Sequence, residues 1–258
     1  MPALSRVSAA AFVALIVMAA PARADGLNID SGAYAKYVDG DYDAAVAAAS
    51  SIGGAGNFAL AARALNAAAY FEDKRKQSRL LANRALDFAE ESIRMKPDFL
   101  EAHLEAAIGL SLRGANMAPA RALILNLPAR ARRHMDVALA LDSASFWALS
   151  TSAAWRLEVA RRGGGAVFGA DPVQGYEEFM KAREIAPGNV VVAYECALRL
   201  IASKRAEWRA VALQSLDAAL AGVPESAFET RLQGHAREFA AAIKAGPDAE
   251  AKFIDAQP

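Results

Sequence analysis

The chain has 258 residues, 55% of them apolar and 22% charged, and its 29 basic residues are matched by 29 acidic ones. That composition excludes a disordered chain, which is poorer in apolar residues. It also excludes an electrostatic nucleic-acid binder, which needs a basic surplus to displace phosphate counterions. A single cysteine, Cys196, excludes a disulfide framework and a thiolate metal cluster. About a quarter of the residues are alanine, the best helix former.

At the N-terminus, Arg6 precedes the uncharged, mostly apolar stretch from Val7 to Ala20. Pro21 then breaks the helix, and Ala22-Arg23-Ala24 has the small-residue pattern of a signal peptidase site. The stretch is shorter than the roughly 20 apolar residues that span a bilayer. No cysteine stands near the junction for lipoprotein processing. The expectation is a cleaved signal peptide over 1–24, with Ala22 and Ala24 at the processing site, and a periplasmic protein. An uncleaved N-terminal membrane anchor is the alternative.

Downstream, apolar residues recur at helical spacing and sustained strand-like alternation is missing. Over 76–95, Leu80, Leu81, Ala85, Phe88, Ala89 and Ile93 form one stripe, and Lys96-Pro97-Asp98 stops and restarts the chain. The segment 98–112 follows. A loop containing Gly114 and Pro119 leads to 128–141, where Pro128 fits a first helical turn. Another helix is expected over 146–162, stopped by Gly163-Gly164-Gly165. Asp171-Pro172-Val173-Gln174 reads as a helix start, with Asp171 as cap and Gln174 reaching back as in a capping box. Three further helices, near 190–203, 207–221 and 226–245, complete an all-α domain over 25–246. That makes about ten antiparallel helices, followed by a short polar tail over 247–258. Cys196 lies in the apolar run Ala193–Ile201 and reads as a buried small hydrophobe.

Helix-ending phrases recur at Ala89–Pro97, Ala138–Asp142 and Ala182–Pro187, and repetition with a period of 34 or more residues marks helical-repeat arrays. Gly40-Asp41-Tyr42-Asp43-Ala44-Ala45, with Ala49, resembles the turn and second-helix start of a tetratricopeptide repeat. Ala45, Ala85 and Gly175 are the small residues where paired helices cross. In the second half, Leu141-Asp142, Ala148-Leu149, Trp155 and Glu158-Val159-Ala160 resemble the regulator of microtubule dynamics family. Phe168-Gly169, Tyr176-Glu177-Glu178-Phe179, Lys181-Ala182 and Pro187 continue in that family's order, over roughly 85–200. Ser143 replaces the usual proline, and the loop before Phe168 is shortened to a glycine run. The resemblance implies an exported bacterial α-α superhelix used for binding.

Candidate chemistry is sparse. His103, His134 and His235 are far apart in sequence and in no zinc spacing, and His103 is expected to pack at the edge of the core. His235 and Glu238 share a helix face but lack the further glutamates of a di-iron bundle. Gly163–Gly169 lacks the Lys-Ser/Thr ending of a phosphate loop, and no G-x-S-x-G occurs. The expectation is therefore a non-enzymatic protein with no cofactor and no metal. It would be a scaffold for a protein or peptide partner of the cell envelope. A solute- or lipid-binding accessory of an envelope transport system is the alternative. On the repeat register the concave groove is lined by Glu101, Leu104, Ile108, Trp147, Ser150 and Ala154. Trp155 and Phe179 fall in the core. Arg121, Arg130, Arg132, Arg133 and His134 form a basic patch, with Arg161 and Arg162 as prospective neighbours, suited to an anionic protein face or lipid headgroup.

Overall fold

The computed structural model describes residues 29–257, which lie in fourteen α-helices and one 3-10 turn, with no strand among the described residues. The signal-peptide segment, with Ala22 and Ala24, lies outside the described residues.

The helices follow one another as hairpins. α1 (Ser31–Val38) pairs with α2 (Tyr42–Ile52), and α3 (Ala55–Tyr70) with α4 (Arg75–Met95). After α5 (Leu100–Ala115) comes the short α6 (Pro119–Ile124), and α5 then pairs with α7 (Leu127–Leu141). Likewise α8 (Phe146–Arg161) is followed by the one-turn α9 (Gly165–Phe168) and pairs with α10 (Pro172–Ile185). α11 (Val190–Ala202) pairs through the turn Ala206–Trp208 with α12 (Arg209–Ala221), and α13 (Ala227–Ala245) and α14 (Pro247–Ala256) complete the order. This all-α architecture is compatible with a helical-repeat solenoid.

Local chemistry fixes the helix boundaries. Asp30, Asp41, Ser145, Asp171, Asn189 and Ser226 each accept a hydrogen bond from a backbone N–H of the first turn. Asp171 is the cap the sequence indicates, at 2.8 Å from the Val173 N–H. Gln174, however, turns forward and donates to Glu178 at 3.3 Å, so no capping box closes. At the end of α8, Gly163 adopts φ +82°, which glycine takes without the Cβ penalty.

The two members of each hairpin differ in kind. α4, α7, α10 and α12 bury one stripe each and leave the opposite face in water, as in Ala82, Ala85, Leu86 and Ala89 of α4. α3, α5, α8 and α11 are buried on nearly every side, and all thirteen residues of α11 are buried. These four make the inner layer. Small residues let it pack closely. A Cβ on Gly175 would meet the Ala153 carbonyl oxygen and the Arg156 Cβ at 3.1 Å, and one on Gly109 would meet the Ala82 carbonyl oxygen at 3.2 Å. Gly175 is thus a crossing point of α10 on α8.

The first and last helices of the inner layer also touch. The Tyr70 hydroxyl of α3 donates to Glu195 of α11 at 3.2 Å across 125 residues of sequence. α13 packs on α11 and reaches α1, and Phe228 of α13 meets Tyr70 and Phe71 edge-on and tilted. The 247–258 segment is not a simple polar tail, because α14 folds back onto α13 and α11.

Candidate binding cleft

Burial of the inner layer decides the fate of the expected groove. Leu104, Ile108, Ser150 and Ala154 have no exposed surface, Trp147 is buried, and only Glu101, at the start of α5, is partly accessible. These residues are therefore core and do not line an open groove. Neighbouring helices cover these positions, and Ser150 satisfies its hydroxyl within its own helix, on the Phe146 carbonyl. Trp155 and Phe179 are core, as the repeat register places them.

Charge inside that layer is what the sequence reading missed. Arg63 and Asn66 of α3 bind Glu105 of α5 at 3.1 and 2.9 Å, all three buried. Arg156 of α8 donates to Glu178 of α10 at 3.0 Å. Glu158 of α8 gathers Arg161 at 2.7 Å, Arg162, and Arg199 of α11 at 3.5 Å, while Arg199 also binds Glu195 at 3.0 Å. Burial pushes the Glu158 carboxyl up, but the Arg161 hydrogen bond and the Arg199 and Arg162 charges outweigh it and hold the group below the ordinary carboxylate range. Glu195 has one guanidinium and the Tyr70 hydroxyl, and burial leaves it above that range. The sequence signal for this network is a few charged residues set in otherwise apolar helices, such as Glu195 and Arg199 four apart in α11.

Above this network lies a polar cleft of about 430 Å³. It forms where the C-terminal ends of α3, α5 and α8 come together, walled by the first turn of α4, by α13 and by the end of α14. The helix ends are satisfied by side chains. Ser78 donates to the Ala69 carbonyl at 2.7 Å, Asn116 donates to the Ser78 hydroxyl at 2.9 Å, and Arg79 donates to the Asn116 carbonyl at 3.3 Å. Arg161 and Arg162 stand at the α8 terminus, where cations complement the helix dipole. On the far wall the Arg231 guanidinium lies 4.0 Å from the centre of the Phe71 ring, and His235 meets the same ring edge-on. Arg75 and Arg231 make no ion pair with the described residues.

The basic patch divides. Arg121 and Arg133 are exposed, Arg130 pairs with Glu90 at 3.1 Å, and Arg132 is occupied by Asp136 and by the carbonyls of Phe168 and Gly169. Arg161 and Arg162 are not its neighbours, because they line the cleft, which none of the patch arginines reaches. His103 and His134 do meet despite their sequence separation, with Nδ1 atoms 3.1 Å apart and His103 Nε2 on the Pro97 carbonyl at 2.8 Å. Burial, then His103, then Arg130 and Arg133 lower His134 to about 4. Among the described residues no three His, Cys, Asp or Glu side chains are grouped to hold a metal ion, and no helix is long and apolar enough to cross a membrane. Cys196 is buried beside Ser215, and burial pushes its thiol up to about 11.

No family model matches the chain, and no curated protein matches it.

Proposed function

We propose that this chain is an exported, non-enzymatic helical-repeat scaffold of the cell envelope, and that its binding site is the polar cleft at the ends of α3, α5 and α8. The observation that carries the reading is a preformed polar cleft of about 430 Å³, lined by Arg75, Arg161, Arg162 and Arg231 together with Glu72, Asp73, Glu238 and Asp255, in which Arg75 and Arg231 make no ion pair with the described residues. Its arginines, His235 and Asn116 can donate to the backbone carbonyls of a peptide, and its four carboxylates can accept from the peptide's N–H groups. An acyl chain would find little apolar wall, so the polar lining favours a protein or peptide partner over a lipid. The tetratricopeptide-like reading agrees with the succession of hairpins, and export with the Ala22-Arg23-Ala24 pattern.

The test is site-specific photocrosslinking in the native envelope, with the reactive residue at Glu72 on the cleft rim or at Asp142 between α7 and α8. Adducts from Glu72 and none from Asp142 are expected. Equal labelling from both positions, or none from Glu72, would overturn the assignment.

A further inference from the structure

Between Glu105 and Asp136 the chain carries five arginines and no carboxylate. Within that stretch α6 bridges α5 and α7, and of its six residues only Ala122 is buried. Met117 and Leu125, on either side, pack against the core, whereas Leu123 is 47% exposed and Ile124 83%. Asn126, at φ +52°, turns the chain into α7 in a conformation that asparagine tolerates. Leu127 is buried beyond that turn, and the two aliphatic side chains before it stay outside.

Positive charge gathers beside this tip. Arg121 lies in α6 itself, Arg113 near the end of α5, and Arg130, Arg132 and Arg133 early in α7. Arg130 pairs with Glu90 of α4 at 3.1 Å, and Arg132 with Asp136 at 3.4 Å. Arg113, Arg121 and Arg133 make no ion pair with the described residues. Burial, then the Arg130 and Arg121 charges, lower Arg113 from its ordinary value, and Asp87 and Glu90 of α4 oppose this without reversing it. α9 follows α8 as α6 follows α5, at the end of the layer where α5 and α8 both reach the cleft. It leaves Val167 76% exposed, and Arg132 of α7 donates to the Gly169 carbonyl behind it at 3.3 Å. These aliphatic side chains project from two turns, and none of them lines the cleft.

We propose that the α6 tip is a peripheral membrane contact, in which Leu123 and Ile124 enter the boundary between headgroups and acyl chains of an anionic bilayer while Arg121 and Arg133 bind lipid phosphates. Val167 of α9 is a second point of entry. Isolated exposed aliphatic residues need no partner, and Val223, 80% exposed beside Glu225, is one. At α6 two such residues are adjacent and stand next to uncompensated arginines. A protein partner is held by a continuous buried face with aromatic and arginine anchors at its centre. A bilayer takes up projecting aliphatic groups, and its phosphates match the guanidinium fork.

The test uses the protein purified from the envelope in the form that accumulates there. A polarity-sensitive fluorophore is placed on Ala120→Cys in α6, or on Asp142→Cys at the other end of α7; both positions are exposed. Cys196 is buried and stays unlabelled. Phosphatidylglycerol vesicles should blue-shift the label at position 120 and not the one at position 142, and phosphatidylcholine vesicles should shift neither. Ile124→Ser should weaken the response to phosphatidylglycerol about tenfold. Arg121→Gln with Arg133→Gln should weaken it by about tenfold or more, from about fivefold per arginine at an anionic surface. All three side chains are exposed, so the fold is kept, and Val223→Ser should change nothing. No shift at position 120, an equal shift with phosphatidylcholine, a shift at both positions, or an undiminished response of Ile124→Ser would each overturn the proposal. A photocrosslinker at position 120 that captured a protein while vesicles gave no shift would assign the tip to a protein partner instead. Adducts from Glu72 report on the cleft alone, so the two readings fail separately.

Discussion

Replacing Glu158 by glutamine is the sharpest probe of the interior. Glu158 has almost no exposed side chain, and it is the shared acceptor of Arg161, Arg162 and Arg199. Arg199 is itself buried and loses one of its two carboxylate partners, Glu158, while Glu195 remains. Glu195 is a poor substitute, because burial already raises it and favours its protonated form. Glu158→Gln keeps the shape and one acceptor oxygen but removes the carboxylate charge that Arg161, Arg162 and Arg199 share. Removing one partner of a buried ion pair costs about 3–5 kcal/mol. Against a total stability of about 5–15 kcal/mol that is a large fraction. For a chain of this size each kcal/mol lowers the melting temperature by about 2–4 °C. A drop of about 6–20 °C is therefore expected, read by far-ultraviolet circular dichroism and by guanidinium unfolding at neutral pH. Glu195→Gln should cost less, since it removes a charge that burial already disfavours. The exposed Glu91–Arg94 pair is the control, and Glu91→Gln should leave the transition where it is. A Glu158→Gln variant within about 1 kcal/mol of wild type, or one more stable than Glu195→Gln, would refute the network as described.

Other consequences are open to direct measurement. Trp147→Ala and Trp155→Ala should each cost about 3–5 kcal/mol, since both rings are buried, and a mild Trp147→Ala would restore the groove expected from the repeat register. Cys196, buried with its thiol raised to about 11, should resist iodoacetamide in the folded chain and react on unfolding, and prompt labelling of native protein would contradict its placement. His134 makes the chain acid-sensitive: the unfolded chain takes up this proton near the ordinary histidine value and the folded chain only at about 4. The stabilisation is complete above about pH 6.5 and is lost as pH falls toward 4, by about 2–3 kcal/mol once partial exposure is discounted. His134→Gln should flatten that part of the stability profile, and an unchanged slope would show that His134 is not held buried between His103 and the neighbouring arginines.

What the sequence made legible follows from how much of each helix faces water. α4, α7, α10 and α12 touch the core along one stripe, so their apolar residues recur at three and four and announce helices. In the inner helices the pattern does not tell which side faces water, because all sides are covered. In α11 the run of Val, Ala, Tyr, Leu and Ile is broken by Glu195 and Arg199 on one face, and that polar face is buried too. The repeat register assigns such helices an outer concave face, and the burial of those positions removes it. α14 was misread for the opposite reason. Its four charges suggest a tail, yet Pro247 in the first turn, with Asp248 and Glu250 beside it, is a helix start. Phe253 and Ile254 stand one turn before Gln257, as a packing face requires. The His103–His134 pair joins α5 to α7 across 31 positions, and no local motif encodes such a meeting.

The cleft illustrates a more general reason why a binding site can be silent in the sequence. It is assembled from the last turns of α3, α5 and α8, and each of those turns reads locally as nothing but a helix stop. Asn116 hydrogen-bonds the Leu112 carbonyl of its own helix, and Arg161 and Arg162 follow a run ending at Gly163. Only when hairpin pairing sets three inner helices side by side do their carbonyl ends face one space. That space is then bordered by partial negative charge, and basic residues in it are stabilised by the helix dipoles. Arg161 and Arg162 are thus consistent with capping alone. Arg231 is not, because it comes from α13, more than two turns from that helix's C-terminus, and rests on Phe71 of another segment. Its position is accounted for by neither capping nor ion pairing, which makes it the residue whose substitution best separates a binding cleft from a well-capped junction of helices.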